Sequence, residues 1–272
     1  MPMSDYTEAY VQATGRKLPA QAVALDRWFD AMRGGELLPP RSVQAVEAGL
    51  VGHALSDPKV DPAHYRYYTW VVDWLVAQGI EVHEMSAQLI GMAFVSTGIL
   101  QTDLPRPLTL NPWQVDSMLD WPLSSRRAVI IENNGVFIWL HHLHPDWPLI
   151  DQGGNDFQPA YLKLLSSLVQ RGLVVTYLGD LDATGIRMAD TLRSALPDSP
   201  EFLAIQSPRQ VMAWLSQFGK TDLKRSRAQP VVDVELQTEM NSIVFQEQFV
   251  EQEQLLGEYE RLIAAWLKEN ES

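Results

Sequence analysis

Three acids stand out by where they fall in the chain. Glu132 closes the short apolar run AVIIE at residues 128–132. Asp180 follows a second run, LVVTYLG, and Asp182 lies two residues further on. In an extended segment, side chains two apart point the same way, so Asp180 and Asp182 can converge on one ion. Hard cations such as Mg²⁺ take oxygen ligands, commonly one or two carboxylates completed by water and a substrate phosphate. Carboxylates so arranged suit phosphodiester displacement, where bound metal steadies the attacking and leaving oxygens. The same D-x-D pattern arises when an Asp simply caps the next helix, and both Asp182 and Thr184 precede such a helix.

The elements that must position these acids follow from periodicity. Residues 5–100 read as mainly helical, with helix patterns over 20–32, 42–55 and 62–79. Gly34-Gly35 stops the first, Ser42 caps the second, and Pro62 opens the third. Residues 85–100 are apolar and fit either a helix or a pair of strands. Prolines 105, 107, 112 and 122 then mark a change of pattern, and we place a domain boundary at 104/105. Beyond it, apolar runs at 128–132, 147–151, 173–178 and 202–205 alternate with helix patterns. That alternation predicts an α/β domain over 105–232 with a mostly parallel sheet flanked by helices. Sites in such sheets form at the carboxyl ends of the strands, which is where Glu132 and Asp180 fall. Residues 239–269 read as one long helix, giving a C-terminal acidic segment 233–272 that packs on the α/β domain. Phe245, Phe249, Leu256, Tyr259 and Ile263 share its apolar face, and Gln248 and Gln252 interrupt that face, so both amides need polar partners.

The wider pattern, RAVIIENNGVF, then a Gly-Gly turn, then LVVTYLGDLDATGIRMADTL, resembles the Toprim domain. There, one strand ends in a Glu before a small-residue turn, and a later strand ends in D-x-D followed by Gly and a helix. Glu132, Asp180, Asp182 and Gly185 occupy those positions. ENNGVF, TYLGDLDATGIRMA, the late FVEQEQL and the upstream PLTL at 107–110 are similar to a prokaryotic subfamily. That subfamily includes the nuclease subunit of Wadjet plasmid-defence complexes; the topoisomerase VI A subunit is more distant kin. The resemblance spans roughly residues 105–262 and is specific over 128–137 and 173–193. It implies that Glu132 acts as acid/base or metal ligand, that Asp180 and Asp182 hold Mg²⁺ or Mn²⁺, and that a late Glu joins them. Of the two offered by FVEQEQL, Glu251 is our choice as a further ligand. Glu251 and Glu253 lie about 200° apart on a helix and cannot share a face.

Other residues carry weaker signals. Gly153-Gly154-Asn155 either presents backbone N–H groups to a phosphate or makes a plain turn. Arg187 and Arg193, on the helix after D-x-D, either meet a DNA backbone or pair with nearby acids. The segment 220–227 is locally basic, and Lys224 and Arg225 are its substrate-binding candidates. His141, His142 and His144 could present a zinc pair, yet no second pair matches them. Tyr65, Tyr67 and Tyr68 lie in HYRYYTW; a tyrosine nucleophile would make the chain a topoisomerase-like transesterase, whereas core packing beside Trp70 and Trp74 is the plainer reading.

Composition sets the frame for function. Apolar residues make up 46% of the 272, so the chain should fold. Cysteine is absent, which excludes disulfides and thiolate sites. The first ten residues resemble neither a secretory nor a transit signal, and no apolar run spans a membrane, so we expect a cytoplasmic protein. The net charge of −13 opposes tight DNA binding by this chain alone, since phosphate binding draws on Lys and Arg. The expectation is a Mg²⁺- or Mn²⁺-dependent nuclease acting on DNA with protein partners, and a homodimer is compatible. The alternatives are a non-catalytic assembly subunit and the transesterase.

Overall fold

Strand β5, Arg127–Ile131, is buried along its whole length. Its aliphatic residues suit a strand covered on both faces, as parallel strands are. It pairs in parallel with β6, Leu149–Asp151, on one side and with β7, Val174–Leu178, on the other. The computed structural model describes residues 4–85, 93–153 and 157–268. The chain divides into two units, residues 1–91 and 92–272.

The first unit is mainly helical. Its described α-helices are α1 (Asp5–Thr14), α2 (Asp26–Arg33), α3 (Arg41–Glu47) and α4 (Pro62–Val76). Two short parallel strands, β1 (Leu37–Leu38) and β2 (His83–Glu84), accompany them. Pro62 opens α4, as the sequence predicts, and Asp61 caps it by accepting from the Ala63 and His64 amides. The helix pattern over 20–32 resolves into a 3₁₀ turn, Ala22–Leu25, followed by α2. The pattern over 42–55 stops at Glu47, because the chain turns through Gly49 at φ 78°, where a side chain would be strained. Aromatic rings fill the core: Phe29 lies 5.1 Å from Tyr6, 5.8 Å from Tyr67 and 5.7 Å from Tyr68. Tyr67 and Tyr68 are fully buried, and burial raises both phenols above their ordinary value.

The second unit is built on a five-stranded sheet in the order β4-β3-β6-β5-β7. Strand β3, Phe94–Thr97, runs antiparallel to β6, and β4, Leu108–Leu110, runs antiparallel to β3. The sheet is therefore mixed rather than mostly parallel. Since β3 belongs to this sheet, the residues before the proline-rich stretch join the α/β unit, and the boundary expected at 104/105 falls at 91/92 instead. Of the ambiguous stretch 85–100, residues 86–92 lie outside the described residues. Residues 202–205 form turns, not a strand, although the Phe202 carbonyl accepts from the Tyr177 amide at 2.8 Å.

Helices α5 (Pro112–Met118), α6 (Asn134–Leu143), α7 (Pro159–Gln170), α8 (Ala183–Ala195) and α9 (Pro208–Phe218) follow in turn. The expected single C-terminal helix is two. Helix α10, Val234–Gln246, ends at Glu247, which takes a left-handed conformation at φ 54°. The chain then forms β9, Gln248–Phe249, pairs it antiparallel with β8, Lys220–Thr221, makes a 3₁₀ turn at Gln252–Leu255 and enters α11, Leu256–Lys268. Gln248 and Gln252 thus lie off any helical stripe.

Candidate functional site

Glu132, Asp180 and Asp182 all emerge at the carboxyl ends of adjacent parallel strands. Glu132 follows β5 directly, and Asp180 lies two residues beyond β7. Gly179 makes the approach possible: a Cβ there would collide with the Glu132 carboxylate and the Tyr177 ring. Gly185 likewise lets the first turn of α8 settle on the Asp180 carbonyl.

Each carboxylate is held differently. Glu132 is buried, and its Oε2 accepts from the Tyr177 hydroxyl at 2.9 Å and the Asp180 amide at 3.1 Å. Burial, reinforced by the neighbouring Asp180 charge, pushes its carboxyl from 4.5 to about 7. Burial also raises Asp180, whose Oδ1 accepts the Gln252 amide at 2.9 Å. Asp182 caps α8: its Oδ1 accepts from the Thr184 and Gly185 amides at 2.9 and 2.8 Å. Of the two alternatives read from the sequence, the helix cap is the one these bonds make, with Asp182 rather than Thr184 as the cap.

One arginine links the acids. Arg225 Nε donates to Asp182 Oδ2 at 2.8 Å, Nη1 to Glu251 Oε1 at 2.8 Å, and Nη2 to Asp180 Oδ2 at 3.4 Å. Its guanidinium lies 3.9 Å from the Phe249 ring centroid. Lys220 reaches Glu251 from the other side at 3.2 Å, and these two cations hold the Glu251 carboxyl below the usual carboxylate range. The 248–250 segment is tied to the D-x-D loop by a backbone bridge between Leu181 and Val250. Gln252 finds the polar partner its position demands, accepting the Asn133 amide at 2.8 Å, and Asn133 Nδ2 donates to Glu253 at 2.8 Å.

The remaining candidates scatter. Gly153, in a left-handed turn, has already given its amide to Asp151 Oδ1 at 3.1 Å, so that N–H is not free for a phosphate. Gly154 and Asn155 lie outside the described residues. Arg187 is half-buried on α8, Lys224 is exposed, and Arg193 pairs with Asp233 at 3.7 Å. His144 stacks on Trp147 and contacts Glu260 at 2.8 Å, which gives it a structural place. Asp151 is a strand-end acid to which the sequence reading assigned no role. It is buried at the end of β6, accepts from Asn134 Nδ2 at 2.9 Å, and is raised by burial. The strand-end rule that picked Glu132 also points to it. It lines a separate recess of about 360 Å³ with Phe94, Asn134, Phe157 and Tyr161.

Among the described residues, no three acids or histidines stand together at metal-ligand spacing. Arg225 lies among Asp180, Asp182 and Glu251 instead. The carboxylates gathered on that guanidinium offer oxygen donors only, the ligand type that hard divalent cations take.

The family model described as "Protein of unknown function C-terminus (DUF2399)" matches residues 108–260. The chain belongs to the DUF2399 family. Its matched region contains every acid of the cluster, from Glu132 to Glu251. No curated protein matches the chain. No helix among the described residues is long and apolar enough to cross a membrane.

Proposed function

We propose that this DUF2399 protein cleaves DNA phosphodiester bonds with Mg²⁺ or Mn²⁺, as one component of a defence or chromosome-maintenance assembly. The observation that carries this reading is the gathering of Asp180, Asp182 and Glu251 on one guanidinium beside the strand-end acid Glu132. The Toprim resemblance of residues 128–137 and 173–193, and the Wadjet-like motifs around them, supply the reaction class and the expectation of protein partners.

Asp180 and Asp182 would hold the metal through their Oδ2 atoms, since each Oδ1 is committed to backbone amides. Bound there, the ion would neutralise charge on the attacking and leaving oxygens of the phosphodiester. The helix cap fixes the orientation of Asp182, so the carboxylate needs no reordering when it is used. Glu132, with a carboxyl near pH 7, can hold or release a proton at neutral pH, as a general acid or base requires. Tyr177 and the Asp180 amide hold its Oε2, leaving Oε1 for the proton in transit.

The test is nicking of supercoiled plasmid by the purified chain in Mg²⁺ or Mn²⁺, against Asp180→Asn. The parent should cleave, and the variant should lose about a hundredfold or more of the rate while keeping its thermal midpoint. Equal cleavage by the variant would falsify the assignment. The net charge of −13 favours a second reading, a non-catalytic assembly subunit; metal binding without cleavage, even with partners present, would select it. Full burial of Tyr67 and Tyr68 weighs against either as a nucleophile, while Tyr65 is only partly buried; the transesterase predicts protein covalently trapped on DNA.

A further inference from the structure

We propose that Arg225 is a displaceable internal cation. It neutralises the acid cluster before a divalent ion arrives and passes to a substrate phosphate once one has bound, so that metal and phosphate binding are coupled. This rests on the cleavage reading above.

The contacts of Arg225 are graded. It holds Asp182 and Glu251 at 2.8 Å but Asp180 only at 3.4 Å. Two of its holding points lie outside the aspartate pair. Glu251 stands on the rim with 38% of its side chain exposed, and the Phe249 ring offers a cation–π seat. A guanidinium that leaves Asp180 and Asp182 therefore keeps partners on the rim rather than moving into open solvent. The backbone that carries it stays fixed. Its carbonyl accepts the Ala183 amide at 2.9 Å, and its amide donates to Asp222 Oδ1 at 3.2 Å. Only the side chain has to move.

The charges fit the same picture. Asp180, Asp182 and Glu251 share Arg225 and Lys220, three carboxylates to two cations, with Glu132 and Glu253 beside them, so the cluster holds an excess of negative charge that a divalent ion would offset. With the ion in place, the aspartates no longer need the guanidinium. Its planar fork of donors matches two phosphate oxygens at once, which an ammonium cannot do. An arginine serving only as scaffold would stay on Asp182 whether or not metal was bound.

Two measurements separate these cases. In the folded parent, modification of Arg225 by phenylglyoxal is followed by mass spectrometry with and without Mn²⁺. We expect labelling to become about fivefold faster when Mn²⁺ binds. In Arg225→Gln, Mn²⁺ affinity by calorimetry should tighten by a similar factor, while binding of a short DNA duplex in Ca²⁺ weakens. Labelling that does not change although calorimetry shows Mn²⁺ bound to the parent overturns this inference and leaves the cleavage reading standing. Mn²⁺ affinity that is unchanged or weaker in a folded Arg225→Gln protein does the same. If that variant does not fold, labelling of the parent decides. A parent that binds neither Mn²⁺ nor Mg²⁺ overturns the cleavage reading itself, and this inference with it.

Discussion

Arg127 begins strand β5 and Glu132 follows its last residue, so one strand carries a buried charge at either end. The two are equally buried, each 8% exposed. At the amino end the charge is fully answered. Arg127 donates to both Glu201 oxygens at 3.0 and 2.8 Å and to the Trp266 carbonyl, and it lies over the Trp266 ring. Trp266 Nε1 closes the ring of contacts by donating to Glu201 at 2.7 Å. At the carboxyl end, Glu132 has two donors and a like-charged neighbour, and its carboxyl rises to about 7. A fully answered charge holds shape; a buried acid left short of counter-charge takes up protons or cations near neutral pH. The same degree of burial thus leaves a satisfied charge at one end of the strand and a raised, proton-binding acid at the other.

The sharpest way to break that comparison is Arg127→Met. It strands Glu201 and removes the bond to the last helix. Breaking one partner of a buried pair typically costs about 3–5 kcal/mol; Glu201 is 35% exposed and keeps its Trp266 bond, so the loss should fall at or below the lower end, about 3 kcal/mol, read as a lower urea midpoint. Metal affinity per folded molecule should not change. A loss below about 1 kcal/mol, or a weakened metal site, would show that the two ends are not separable in this way.

How much of this was legible in the sequence depends on the kind of feature. The strand ends were, because AVIIE and LVVTYLG are apolar runs closed by turns, and the acids follow them. Helix α4 was, through Pro62. Strand direction was not: periodicity says nothing about whether β3 runs with or against β6. The hairpin of β8 and β9 was hidden because each strand is two residues long. The break at Glu247 was hidden because no Gly or Pro marks it, while Phe245, Phe249, Leu256, Tyr259 and Ile263 fit one helical arc across it. Arg225 was visible as a basic residue but not as the hub of the cluster. Its partner Asp182 lies 43 residues away in the chain, and only the folding back of the 220–227 loop brings them together.

A second prediction concerns the raised acid directly. With Glu132 at 4.5 in the unfolded chain and about 7 in the fold, the folded protein binds more protons than the unfolded one between those values. Stability should therefore fall as pH rises from about 4.5 to 7 and level off above, by up to about 3 kcal/mol from this group. Glu132→Gln removes that dependence and should be the more stable protein at pH 8, with little difference at pH 4. Thermal melts of both across this range provide the check. A parent whose stability rises between pH 5 and 7 relative to the variant would reverse the sign and remove Glu132 as the strained end of the strand.

The smallest expected effect tests where the unsatisfied end of the strand stops. Glu251 is tied to Lys220 and Arg225 at the rim, and its side chain is 38% exposed. Exposed ion pairs of this kind contribute about 1 kcal/mol or less, so Glu251→Gln should barely move the thermal midpoint. Its effect on metal binding distinguishes two roles. If Glu251 acts by drawing Arg225 away from the aspartates, its loss leaves the guanidinium on Asp180 and Asp182, and Mn²⁺ binds a few-fold more weakly. If Glu251 is itself a ligand, as the family resemblance implies, Mn²⁺ also binds more weakly. The double variant separates them, because a residue that works through another has no effect once that other is gone. In an Arg225→Gln background, Glu251→Gln should leave Mn²⁺ affinity unchanged. A loss that persists in that background would make Glu251 a metal ligand and extend the acid cluster from the strand ends out to the rim.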